Sequence, residues 1–296
     1  MRIAALVITV FVLLAACSSE APNSGVVSVH ATEDDPAGIE ALAAAFTAET
    51  GIRVDISYGA SAALADALIE KQGVAADVLI TPNVSDIWRA ADRGALRPLN
   101  EEALASVPAA LKDPDGLWVA LDRRYAMIVV SAAADTAGGI DYAELGKSQF
   151  EGQLCLSSVA NSVNQALIAM LIESRGLKSA ERVVRGWVRN LAVPPFATQQ
   201  EVIAALVAGD CAYGIVSESE LPAALSTLDS SPLYADVSAM GVGRHARDPE
   251  AGQRLVEWLI RNSPPGDFDK SDGRNVGLAG WRSEDVRLLA ERASYR

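Results

Sequence analysis

From Val26 onward the chain alternates strand-like and helix-like patterns. "VVSVHA" is a short β-branched run. "PAGIEALAAAFTAETG" then places Ile39, Leu42, Ala43 and Phe46 on one helical face, with Gly51 as the stop. "IRVDISY" alternates as a strand does. "SAALADALIEKQG" is an amphipathic helix closed by Gly73, "ADVLITP" is a buried-type strand, and "SDIWRAADRG" is a helix with Ser85 as N-cap and Gly94 as its end. Strand–helix alternation of this kind implies right-handed crossovers and a mostly parallel sheet.

The middle of the chain carries a turn and strand, "DPDGLWVAL", then a second, long strand, "YAMIVVSA". A new series follows: the strand at "QLCLSS", the helices "SVNQALIAMLIESRG" and "SAERVVRGWVRNL", the loop "AVPPFAT", the helix "QQEVIAALVAGD" and the strand "CAYGIV". After that strand, "SESELPAAL" reads as a polar patch that opens a helix at Leu221 and Pro222. "SAMGVGRHA" returns as a strand, "DPEAGQRLVEWLIRN" is a helix capped by Asp248, and "SEDVRLLAERA" is a last helix. Two α/β series and a late return predict an α/β fold of two lobes joined by two crossings, near Ile128–Ala132 and Val237–Val242. The lobes are expected at 26–128 with 240–296 and at 129–239. A hinge joins them, and their cleft lies at the carboxyl ends of the strands, where open α/β sheets bind ligands. Those ends are His30–Asp35, Ser57–Ala60, Thr81–Ser85, Ser157–Asn161 and Ser217–Glu220.

The first 25 residues stand outside this pattern. "MRIAALVITVFVLLAAC" has one positive charge, Arg2, and an apolar run too short for a comfortable membrane span. Small residues before Cys17 mark a lipoprotein signal over 1–16, with lipid on the Cys17 thiol and a polar tether over 17–25. The expected location is the periplasm or cell surface, anchored to the membrane by lipid alone. In that oxidising compartment Cys155 and Cys211 suggest a disulfide, with two buried free thiols as the alternative. The formal net charge of −13 on 296 residues argues against nucleic acid, which needs a basic face.

Catalytic chemistry is poorly represented. There are two histidines, His30 and His245, and no GxSxG, HExxH or P-loop. An extracellular hydrolase is therefore a distant alternative, and no catalytic residue is assigned. Binding chemistry is better represented. Ser157, Ser158, Asn161 and Ser162 precede a helix whose free N–H groups suit an anion, although ordinary capping explains the same residues. Arg123 and Arg124 follow the "GLW" strand and suit a carboxylate or phosphate, or else a surface salt bridge. The acids Glu33, Asp34 and Asp35 face the start of a helix, where they also complement its dipole. Tyr58 packs in the cleft wall or ligates, and Trp88 and Trp118 are expected in the core.

Four stretches, "ADVLITPNVSDIWRAADRGALRPLN", "LKDPDGLWVALDRRYAMIVVS", "GQLCLSSVANSVNQALIAMLIESRG" and "RNLAVPPFATQQEVIAALVAGDCAYGIV", together resemble the ferric-iron-binding periplasmic proteins of ABC importers. The resemblance runs in order from about Val26 to Leu259. It implies the type II periplasmic binding fold, a non-enzyme acting as a monomer, and a membrane permease as partner. The implied cargo is Fe³⁺, held by anionic oxygens with carbonate or phosphate completing the coordination. Such proteins place two tyrosines after the strand matching "CAYGIV". Here those positions are Ser219 and Glu220, while the glutamate expected after the second strand falls on Tyr58. The implied metal set is Tyr58, Glu220, Asp34 and Asp35. The implied anion set is Ser157, Ser158, Asn161, Arg123, Arg124, Ser217 and Ser219. A binding protein for another small anion or polar solute remains the alternative within this class.

Overall fold

The computed structural model describes residues 25–32, 36–71, 76–132, 134, 139–228, 233–263 and 273–296. The expected lipid-bearing Cys17 and the acids Glu33, Asp34 and Asp35 lie outside the described residues. The first series is β1 (Val26–Ala31), α1 (Pro36–Thr50), β2 (Arg53–Tyr58), α2 (Ser61–Glu70), β3 (Val78–Thr81), α3 (Val84–Asp92), β4 (Leu96–Arg97) and α4 (Glu101–Leu104). The second is β5 (Val119–Val130), β6 (Leu154–Cys155), α5 (Ser162–Arg175), α6 (Leu177–Asn190), α7 (Gln199–Ala208), β7 (Tyr213–Ser217) and β8 (Ser226–Thr227). The chain ends with β9 (Ala235–Gly243), α8 (Pro249–Asn262), α9 (Leu278–Trp281) and α10 (Ser283–Ala293).

The strands form the order β2-β1-β3-β9-β5-β7-β6, with β4 beside β9 and β8 beside β5. β1 pairs in parallel with β2 and β3, as the crossovers require, whereas β9 runs antiparallel to both β3 and β5. Burial follows position in the sheet. Central β3 is buried along its whole length, and edge strand β2 alternates exposed and half-buried residues.

The main departure from sequence expectation is β5. The charged run Asp122-Arg123-Arg124 reads as a break between two strands, yet the structure carries one strand of 12 residues through it, with a register shift between Ala120 and Asp122. The charges are tolerated because each arginine has a partner. Arg124 lies directly opposite Asp236 of β9, and its Nη2 meets Asp236 Oδ2 at 2.9 Å. Arg123 reaches Glu218 at 3.0 Å and lies 4.4 Å over the ring of Tyr125. β5 also changes partner along its length. Residues through Tyr125 pair with β9, and residues from Ala126 pair with β7. That switch falls earlier than the expected crossing near Ile128–Ala132. The apolar run continues straight through it, so hydrophobicity does not mark the place where hydrogen-bond partners change.

Other expectations shift for local reasons. α3 is capped by Asn83, whose side chain accepts the Asp86 N–H at 3.2 Å, and Ser85 lies inside the helix. α1 does stop at Gly51, which takes the left-handed conformation at φ +74°. The helix expected from Leu221 and Pro222 is absent. Glu218–Glu220 form one 3-10 turn, and the chain then returns as β8 to pair with Val129 and Val130. "LPAAL" is too short to offset helix nucleation without an apolar face to bury. Trp118 is fully buried, but Trp88 is only half-buried and stacks edge-on against the exposed Trp281.

The C-terminal segment also departs from expectation. It was expected with the first lobe over 240–296, and α8 does pack on β9 and β1. α10, however, packs on α5 and α6 of the second series. The Tyr295 hydroxyl, buried at the end of α10, donates to the Ser157 carbonyl at 2.6 Å, and burial pushes that phenol above its usual range. Among the described residues no helix is long and apolar enough to cross a membrane.

Cys155 and Cys211 are joined, with Cα atoms 5.9 Å apart. The bond ties β6 to the segment entering β7 and closes a separation of 56 residues. Reduction is expected to lower unfolding stability by about 2–4 kcal/mol. Thermal melts with and without reductant measure this, and identical midpoints would contradict it. The Arg124–Asp236 pair is the second stabilising contact at the junction. Asp236→Asn leaves a mostly buried guanidinium without its counter-charge and is expected to cost about 3 kcal/mol, read by denaturant titration.

Candidate functional site

A cleft of about 590 Å³ opens where the two series meet. Its first wall comes from the end of β3 and the middle of β5: Pro82, Asn83, Asp122 and Arg124. Its second comes from the start of α5, with Asn161, Ser162 and Val163, and from Gln199 at the start of α7. The turn after β7 completes it with Ser217, Ser219 and Glu220. This is the strand-end location that α/β topology favours, because loops and helix N-termini converge there. α5 and α7 both begin in it, so the positive ends of their dipoles face the space.

The cleft floor is a charge-assisted network across both series. Arg124 donates to the Pro82 carbonyl at the end of β3 as well as to Asp236. The same Asp236 Oδ2 accepts the Ser162 hydroxyl at 2.6 Å. Burial raises the Asp236 carboxyl above the usual carboxylate range, against the opposing pull of Arg124 and Ser162. Arg124 Nε is buried and meets no acceptor among the described residues. The guanidinium therefore holds the floor together through Nη2.

The expected anion set divides. Asn161, Arg124, Ser217 and Ser219 line the cleft together. Arg123 does not. Successive strand residues point to opposite faces, so Asp122 and Arg124 face the cleft while Arg123 and Tyr125 face away. Ser157 is buried, its hydroxyl accepting from Asn164 Nδ2 at 3.0 Å, and the Ser158 hydroxyl accepts the Ala160 N–H at 3.2 Å. Both serines build the turn that presents Asn161. Asn161 in turn caps α5 by accepting the Val163 N–H at 3.1 Å.

Of the expected metal set, the two described members, Glu220 and Tyr58, stand apart. Glu220 stands in the cleft and accepts Gln200 Nε2 at 2.7 Å. The Tyr58 hydroxyl lies 3.3 Å from the Pro36 carbonyl and 3.3 Å from Glu40, against the start of α1, and Tyr58 is not part of the cleft lining. Asp34 and Asp35 fall outside the described residues. Among the described residues, no three His, Cys, Asp or Glu side chains form a metal-holding group. His30, at the end of β1, has a lowered pKa through burial.

Two cleft residues escaped sequence reasoning. Asp122 was hidden in a charged run, although alternation along "ALDRRYA" places it on the face of Arg124. Gln199 was read only as a helix position. The Thr198–Glu201 capping box marks that helix start, and the Gln199 side chain accepts the Ser217 N–H.

The sequence pattern of the family described as bacterial extracellular solute-binding protein matches residues 36–266. "Iron uptake protein A1" of Synechocystis is 30% identical over 244 residues, covering 74% of this chain and 67% of that protein. The "Fe(3+)-binding periplasmic protein" of Serratia marcescens is 22% identical over 231 residues, with 72% and 68% covered. Among solved structures, a Trichodesmium protein (IdiA, FutA) in complex with iron and citrate superposes with a TM-score of 0.81 at 22% identity, over 92% of this chain and 100% of that one. A ferric binding protein from Campylobacter jejuni gives 0.79 at 19% identity, over 91% and 100%. The fold is thus the two-lobed type II periplasmic binding fold, and with a family pattern spanning most of its length the chain belongs to the bacterial extracellular solute-binding proteins.

Proposed function

We propose that this chain is the solute-binding protein of an ABC importer and that it captures ferric iron together with a small anion in the cleft. The carrying observation is the cleft itself: strand ends and helix N-termini of both series supply its polar lining, in a chain whose 30%-identical relative is named an iron uptake protein. One lobe comprises the first series through Tyr125 with β9 and α8, the other the second series from Ala126 with α10. Cargo contacts drawn from both lobes favour a closed form, which a membrane permease then reads. Lipid on Cys17 would hold the protein at the membrane outside the cytoplasm.

Ferric iron prefers anionic oxygen. Glu220 and Asp122 both line the cleft and supply carboxylates. Carbonate, phosphate or a carboxylate chelator would complete the coordination and meet Arg124, Ser162 and the N-termini of α5 and α7. A second reading, another small polar solute, is favoured by one observation: among the described residues no tyrosine or histidine lines the cleft.

Titration with ferric citrate, ferric ion plus carbonate, and each anion alone separates the two readings. Binding that requires iron supports the first, and binding of an anion or polar solute without iron supports the second. Glu220→Gln is expected to weaken ferric citrate binding about tenfold, the worth of one charge-assisted contact. Tyr58→Phe is expected to leave the affinity unchanged, because its hydroxyl is engaged at α1. Calorimetry on the two variants measures both effects, and a large loss in Tyr58→Phe would return the phenol to the ligand set.

A further inference from the structure

We infer that α9 is a strap between the lobes that holds the cleft wide and thereby sets the affinity for cargo, an inference that rests on the two-lobe capture reading. The chain reaches α9 from the first lobe. Asn275 Nδ2 donates to the Ala109 and Lys112 carbonyls at 2.8 and 2.9 Å, and the Val276 N–H donates to the Ala110 carbonyl at 2.9 Å. α9 then packs on α3 of the first lobe and on α5 of the second. Past α9 the chain commits to the second lobe through α10. Besides β5 and the entry to β9, this is a further connection across the junction.

Each anchor is specific. On the α3 side, Trp281 stands edge-on to Trp88 with ring centroids 5.9 Å apart. Gly280 lies so close that a Cβ there would fall 2.4 Å from Trp88 Cβ, so only glycine permits the approach. On the α5 side, Arg282 pairs with Glu173 and holds Asp285 of α10 at 2.9 Å. Trp281 remains 62% exposed. Core burial therefore does not explain its position, and the ring contact it makes is the one with Trp88 of α3.

The geometry gives the direction. α3 and α5 both start at the cleft, at Asn83 and Asn161, and α9 grips them farther along, at Trp88 and Glu173. In this arrangement the cleft measures about 590 Å³. Narrowing it around cargo moves the start of α3 toward the start of α5. The contacts at α9 hold the two helices at their present spacing and so oppose that motion. Cargo must then overcome the strap, and apparent affinity is reduced by the fraction of molecules able to close.

Trp281→Ala releases the first-lobe anchor at an exposed position, and Arg282→Gln releases the second. Gly280→Ala prises the strap from Trp88 sterically. Small-angle scattering of the cargo-free chain is expected to show a smaller radius of gyration in the variants than in the parent. Affinity for ferric citrate is expected to rise about threefold or more. An unchanged or larger radius of gyration in both Trp281→Ala and Arg282→Gln overturns the strap, as does, where the parent binds, an unchanged or weaker affinity in both variants. The scattering is read without cargo. A parent that fails to bind ferric citrate therefore counts against iron alone, while the strap still stands or falls on its radius of gyration.

Discussion

The architecture depends on one strand shared between two sheets. β5 gives its first half to β9 and its second to β7, so neither lobe is complete without it. A strand that changes partners must carry its backbone across a junction where side chains of both series pack into one core. Charge does the joining there. Arg124 ties the end of β3 to β9, and Asp236 ties β9 to the first residue of α5 through Ser162. A buried carboxylate without partners would be costly. Here it accepts from both lobes, and the same network forms the floor of the cleft.

The site is an outcome of that arrangement more than of any motif. The helix N-termini and the strand-end turn lie at the carboxyl ends of their strands, and the middle of β5 runs beside them as it passes from β9 to β7. The cleft combines two carboxylates, Asp122 and Glu220, with an arginine already committed to Asp236. Such a lining suits a cation that brings anionic ligands of its own better than a bare anion, since the local positive charge is largely compensated. The overall acidity of the chain acts in the same direction at longer range.

Ser219 and Glu220 stand where the resemblance implies a tyrosine pair, and the structure keeps both in the cleft. Their 3-10 turn is held by the Ser217–Ser219 hydroxyl contact at 2.9 Å, by Gln200 on Glu220 and by Gln199 on the Ser217 N–H. What resembles a helix entrance in sequence is a braced presentation of polar side chains. Tyr58, by contrast, ends β2 at the sheet edge, and its hydroxyl turns to α1.

Local periodicity was enough to determine most elements, because burial of one face per helix and alternation along strands are written residue by residue. It also determined the α/β class, the position of the cleft at the strand ends and the candidate disulfide. Tertiary structure alone decided where β5 changes partner, since a backbone hydrogen bond leaves no side-chain signature in a continuous apolar run. It decided that Arg123 and Arg124 face opposite ways, that Ser157 and Ser158 support the site instead of lining it, and that Asp122 and Gln199 belong to it. It also packed α10 on α5 and α6, because an amphipathic helix encodes that it must bury a face but not which surface it will find. Short-range pattern specifies what each segment needs, and the packing of distant segments decides what meets that need.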